Sequence, residues 1–214
     1  MVQFAAIMTS LCAPLVLSAP PTAAAATKLT VATGSITCRK LTGGITITPP
    51  VRNGVDQVVE IVLSFHASAC TTRSSNVALV NRGNMTLRAR GPVHGCSVAE
   101  GQLLLSGTER WQPGTIAPST VIAEGITRRA NGGASGLVFS STPGRQQVIV
   151  APAAGKTMSV RGSFAGKASY VSQENLDGSI LAYTDLVTGQ LDAECKSPAG
   201  ISVLNVVSGV ETLP

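Results

Sequence analysis

Between Gln57 and Ala69 the apolar residues fall on every second position. Val59, Ile61, Leu63, Phe65, Ala67 and Ala69 lie on one side of an extended chain, and Glu60, Val62, Ser64, His66 and Ser68 on the other. Successive side chains of a strand point to opposite faces, whereas a helix would scatter this pattern around its circumference. The run therefore predicts a half-buried strand whose apolar side must be covered by another part of the chain. Asn84 to Arg90 repeats the pattern, with Met85, Leu87 and Ala89 inward and Thr86, Arg88 and Arg90 outward. Thr157 to Tyr170 does so again, with Met158, Val160, Phe164, Ala168 and Tyr170 on one side; Gly162 and Gly166 interrupt it and suggest a bulge or a close crossing.

Further strands are expected at Leu29–Cys38, Gly44–Thr48, Val77–Val80, Gly101–Trp111, Ser119–Glu124, Gly136–Ser141, Gln146–Ala151, Ile180–Leu191 and Ile201–Val207. Turn signals separate them: PPVRNG at Pro49–Gly54, Asn81–Gly83, Gln112–Gly114, Asn131–Gly133, Thr142–Gly144 and Asp177-Gly178. No segment sustains a capped helical period. Strands punctuated in this way predict one all-β domain over residues 27–214, an antiparallel β-sandwich or flattened barrel. Apolar residues make up 44% of the 214-residue chain and aromatics 3%, so the core is expected to be aliphatic.

Residues 1–26 read as an address. Phe4 to Ala19 is apolar and uncharged, and PPTAAAAT offers small-residue cleavage sites at Ala23 to Ala26. Pro14 and Pro20 interrupt the stretch, which falls short of the ~20 continuous apolar residues of a membrane span. A signal peptide, export and a mature chain starting near Thr27 are the expectation. Export gives the cysteines meaning: of five, Cys12 leaves with the signal, and Cys38, Cys70, Cys96 and Cys195 form an even set suited to two disulfides. Three pairings are open. Nearness along the chain favours Cys70 with Cys96, leaving Cys38 near the first strand to join Cys195 near the last.

Candidate chemistry is sparse. His94 stands beside Cys96, but there are only two histidines, too few to complete a zinc site with it, and no metal or cofactor is assigned. His66 with Ser64, Ser68 and Glu60 resembles a nucleophilic set only because alternation puts them on one face. The carboxylates Glu109, Glu124, Asp185, Asp192 and Glu194 are the candidates for glycoside hydrolysis, which needs two at a set separation. Trp111 reads as a strand-end packing residue rather than a sugar platform, and Glu174–Ser179 as an Asp-Gly turn rather than a calcium loop. No catalytic residue is assigned. The chain carries 16 Lys and Arg against 11 Asp and Glu, a net charge of +5, and the first charged residue is Lys28. Arg82, Arg88, Arg90, Arg128 and Arg129 form the best candidate anion-binding patch; no nucleic-acid signature accompanies them.

SITCRKLTGGITITPP, LSFHASAC, GTERWQPGTIAPSTV, VRGSFAG and ECKSPAGISVLNVVSG together resemble an uncharacterised group of exported β proteins from actinobacteria. The resemblance implies export, a four-cysteine framework and a β-sandwich, and no reaction or ligand. The functional expectation is a secreted or envelope-associated, non-enzymatic binding protein whose partner is an anionic envelope component or another protein. A small carboxylate-based extracellular hydrolase and a carrier of apolar ligands are the alternatives.

Overall fold

The computed structural model describes residues 28–73, 76–77, 79–95, 104–123, 136–142, 145–151, 157–169, 180–184 and 190–214. Strands β1 (Ser35–Val51), β2 (Asp56–Arg73), β3 (Arg82–His94), β4 (Leu104–Gln112), β5 (Ser119–Ala123), β6 (Gly136–Thr142), β7 (Arg145–Ala151), β8 (Thr157–Gly162), β9 (Gly166–Ser169) and β10 (Ile180–Thr184) precede a short helix, α1 (Gln190–Lys196), and β11 (Ile201–Leu213). All strands belong to one antiparallel sheet in the order β6-β7-β10-β11-β1-β2-β3-β4-β5-β8-β9. The sheet is not closed. The expected all-β, disulfide-bridged class is what the chain adopts.

The three central strands change their inward face partway along. In β2 the buried residues are Val59, Ile61, Leu63, Phe65 and Ala67, then Cys70; in β1 they are Ile36 and Cys38, then Leu41, Ile45 and Ile47; in β11 they are Leu204 and Val206, then Gly209, Glu211 and Leu213. Ala69, expected to point inward, is exposed and holds a left-handed φ of 54°. Because a strand has a side-chain period of two, one residue in that conformation moves every later side chain to the opposite face. Arg39 faces this position in β1, and the pairing of Lys40 with Ser68 on one side and Cys38 with Cys70 on the other keeps a constant register across it. Both strands thus turn the corner together. Beyond it, their ends and that of β11 fold over the inner face of β3–β4–β5–β8.

That inner face is built of cross-strand rows. One runs Leu204–Ile45–Leu63–Leu87–Gly107–Val121–Val160, and the next Val206–Gly43–Phe65–Met85–Glu109–Ser119–Gly162. Gly107 lets neighbouring backbone come close: a Cβ there would lie 2.0 Å from the carbonyl oxygen of Thr86. The residues 28–34 cross one end of the interior. Thr30 exchanges backbone hydrogen bonds with Thr115 and Ala117, while the Phe164 N–H donates to the Ala32 carbonyl. Beneath them Trp111 donates through Nε1 to Ser119 Oγ and stacks edge-on against Phe164 at 5.1 Å. The C-terminal Pro214 reaches Gly166 of β9, where an added Cβ would lie 2.8 Å from its ring.

Several sequence expectations are corrected. The run Leu29–Cys38 becomes a strand only from Ser35, and β1 continues past Gly44–Thr48 to include Pro49 and Pro50, so that the turn falls at Asn53-Gly54. Of the expected strand Val77–Val80, the described residues Val77, Leu79 and Val80 lie in no strand. Thr157–Tyr170 is not one strand, because Ser163 to Ala165 form the turn of a β8–β9 hairpin that Gly162 and Gly166 bound. Leu191 lies in α1 rather than at the end of β10, and Cys195 sits on that helix. The expected Cys38–Cys195 and Cys70–Cys96 pairing is overturned: Cys38 is bonded to Cys70, directly opposite it across β1 and β2. Cys195 is also disulfide-bonded, to a partner outside the described residues. The first and last strands are neighbours as expected, but the β1–β11 ladder rather than a disulfide joins them. The turns expected at Asn131–Gly133 and Asp177-Gly178 lie outside the described residues.

Non-reducing peptide mapping is expected to recover Cys38 and Cys70 in one linked fragment. With the two cysteines separated by 32 positions in sequence, replacing both by alanine should cost about 3 to 4 kcal/mol on the chain-entropy model. A second measurement bears on the close strand packing. Gly107→Ala is expected to lower stability in urea unfolding by about 1 to 3 kcal/mol, whereas Gly114→Ala, with open space around it, should change it little.

Candidate functional site

The outer face of the same strands is polar and cationic. Ser64, Thr86, Thr108 and Thr120 are exposed and directly opposed on β2, β3, β4 and β5, and Arg161 of β8 continues their row. A second row carries Lys40, Ser68, Arg82 and Gln112; a third carries His66, Asn84 and Arg110; and Val62, Arg88 and Ser106 form a fourth that leads through Ile122 and Ser159 to Lys167. Strand spacing of about 4.8 Å makes the β2-to-β9 width of this face about 24 Å. The acids within it among the described residues are Glu60, which is engaged by Arg88 at 2.9 Å, and Asp56 at the start of β2. Lys40, Arg82, Arg90, Arg110, Arg161 and Lys167 are exposed and form no ion pair among the described residues.

Three of the five arginines named from sequence, Arg82, Arg88 and Arg90, therefore lie together on the outward side of β3. Arg128 and Arg129 lie outside the described residues. Sequence reasoning missed Arg110, Arg161, Lys40 and Lys167, which are remote in sequence and meet only through pairing. The outward alternation of β4, with Thr108 and Arg110 on either side of Glu109, was the signal that could have found one of them.

On the reverse side of β4, Glu109 is fully buried, as is Glu211 on the folded-over end of β11. Their carboxyl groups act on one another. None of the four oxygens has a hydrogen-bond donor among the described residues. Burial, followed by the charge of Glu211, holds the Glu109 carboxyl well above the ordinary carboxylate range, and burial pushes Glu211 up to about 7. Two like charges in a dry interior cannot both persist. A proton carried by one carboxyl is the donor that the other lacks. Glu109 was among the sequence candidates for hydrolysis, but its partner was not: Glu211 stands in a strand that alternation places correctly only after the inward face has switched. With no exposed surface on either, the pair cannot meet a substrate in this conformation.

The remaining candidates disperse. His66 is exposed and donates from Nδ1 to Asn84 Oδ1, and Glu60 is held by Arg88, so the imagined Ser/His/acid set is not assembled. Trp111 is buried packing, as its position suggested. Glu194 is exposed on α1. Glu124, Asp185, Glu174–Ser179 and Cys96 lie outside the described residues, as do the side chains of Asp192 and His94. Among the described residues no three His, Cys, Asp or Glu side chains converge on a metal site, and no helix is long and apolar enough to cross a membrane. No family model, curated protein or solved structure matches the chain.

The buried pair makes stability depend on pH with a definite sign. A carboxyl whose folded pKa lies above its unfolded value of 4.5 contributes stability that is complete below that value and is lost as pH rises through the folded pKa near 7. Glu211 by itself should account for a loss of about 3 kcal/mol between those limits. Urea unfolding across this range is expected to show the decline, and the double variant Glu109→Gln/Glu211→Gln, which leaves no titrating proton in the pair, to flatten it.

Proposed function

We propose that the protein is an exported, non-enzymatic binding protein that takes an extended polyanion of the cell envelope onto the outer face of β1–β2–β3–β4–β5–β8–β9. The observation that carries this reading is the array of exposed Lys40, Arg82, Arg90, Arg110, Arg161 and Lys167 around a row of hydroxyls. Arginines offer planar forks to phosphate or carboxylate oxygens, and short hydroxyls between them add donors without obstructing the approach of a chain. Cations distributed from β1 to β9, over about 29 Å, suit a polymer with repeating charge better than a compact anion. Export is supported by the apolar segment at residues 4–19 and by the Cys38–Cys70 disulfide, which an oxidising compartment would preserve. An enzymatic reading has less behind it, because the interacting carboxyl pair is sealed from solvent.

Inorganic polyphosphate is a suitable probe. Replacing Arg110 and Arg161 together by alanine is expected to weaken its binding roughly threefold to tenfold and to lessen the salt dependence of the affinity. Isothermal titration at two ionic strengths measures both, with uncharged dextran as the control that should not bind. Unchanged affinity in the double variant would count against this face.

A further inference from the structure

We infer that the buried Glu109–Glu211 pair is a pH-operated latch for the outer cationic face: while the two carboxyls share a proton the face is held in its binding arrangement, and when the proton is lost the face loosens and releases its polyanion. The inference rests on the binding reading above for the identity of the ligand, but not for the latch itself.

The latch and the face are separated by the thickness of one sheet. Glu109 stands between Thr108 and Arg110, whose side chains point outward. Its carboxyl lies on the backbone of β3 at Gly83, where a Cβ would come within 2.1 Å of Oε1. Gly83 itself stands between the outward Arg82 and Asn84. A displacement of this carboxyl is therefore a displacement of the strands that carry Arg82, Arg110 and the hydroxyl row. The opposite side of the latch is less free to yield. Glu211 pairs with Cys38, and Cys38 is tied to Cys70, so the folded-over ends of β1 and β2 are covalently joined beside it.

Nothing among the described groups stands ready to neutralise a charged pair. On the inner face its neighbours are Gly107 and Trp111 of β4, Gly83 and Met85 of β3, Ser119 of β5, the Cys38–Cys70 disulfide of β1 and β2, and Gly209 and Leu213 of β11; β10 pairs with β11 at Ile180 opposite Glu211. None of these carries a titrating or charged group. Arg39, Lys40 and Arg73 of β1 and β2 are exposed, as are Arg82, Arg88, Arg90 and Arg110 of β3 and β4. Loss of the shared proton leaves two carboxylates without a counter-charge, and water must enter or the strands must part. Asp56, Glu60 and His66 of β2 are the titratable acids and histidine on the outer face among the described residues, Glu60 being paired with Arg88 and Asp56 lying at the far end of the strand from Arg82 and Arg110. His66 therefore has to be separated experimentally from the latch.

Polyphosphate affinity and Trp111 emission are measured between about pH 5.5 and about pH 8.5 in the intact protein, in the double variant Glu109→Gln/Glu211→Gln and in His66→Gln. Trp111 is the one tryptophan of the chain, so its emission reports on the interior beside Glu109 whether or not a polyanion is bound. The expected result is a roughly tenfold loss of affinity with rising pH accompanied by a red shift of emission, both kept in His66→Gln and both strongly reduced in the double glutamine variant. A pH dependence that survives both Glu→Gln changes, or disappears in His66→Gln, would overturn the latch. Emission that shifts as expected while polyphosphate binds at no pH would refute the polyanion reading and leave the latch standing as a property of the fold; emission unmoved by pH in the intact protein would refute the latch even where binding occurs.

Discussion

Everything in this fold depends on the change of inward face that β1, β2 and β11 undergo partway along their length. An open sheet with one apolar side needs a second layer, and this chain makes that layer from the far ends of its own central strands. Ala69 in the left-handed region supplies the shift, and Arg39 opposite it belongs to a strand that shifts in step. A non-glycine residue in that region costs roughly 1 kcal/mol or more. The burial gained by Ile36, Cys38 and Leu213 beyond the corner offsets it, since each fully buried aliphatic side chain contributes about 1.5 to 3 kcal/mol.

The same fold-over is what creates a buried acid pair. Had β11 continued its first alternation, Glu211 would have faced solvent; with the face switched it meets Glu109 across the interior. The disulfide lies in the same cross-strand row as Glu211, so the costliest polar burial in the described structure lies beside its covalent staple. The arrangement opposes destabilising and stabilising elements at one place, and it leaves the reverse side of β4, with Thr108 and Arg110, available for contact with a partner.

The alternating strands were legible because period-two hydrophobicity is a local signal. Val59 to Ala67, Met85 to Ala89, and Met158 with Val160 read directly as core, and the punctuation at Asn53-Gly54 and Gln112–Gly114 marks real turns. Val77–Val80 misled because a short apolar run does not distinguish a strand from a buried loop residue such as Val80. The β8–β9 hairpin was misread because Phe164 is buried from a turn, at a position where alternation also expects an inward residue. The disulfide was misassigned because nearness along the chain takes no account of register: Cys38 and Cys70 are opposed only because β1 and β2 pair along their whole length.

By itself the sequence determined the class of fold, the aliphatic core, the outward placement of Arg88 and Arg90, and the identity of Trp111 as packing, since each follows from which face of one strand a residue occupies. The tertiary structure decided the cysteine pairing, the meeting of Glu109 with Glu211, and the joining of Arg110, Arg161 and Lys167 to the β3 arginines. These depend on which strands are neighbours and where a face reverses. Both are set by the global need to cover an apolar sheet, a requirement that no local window of residues contains.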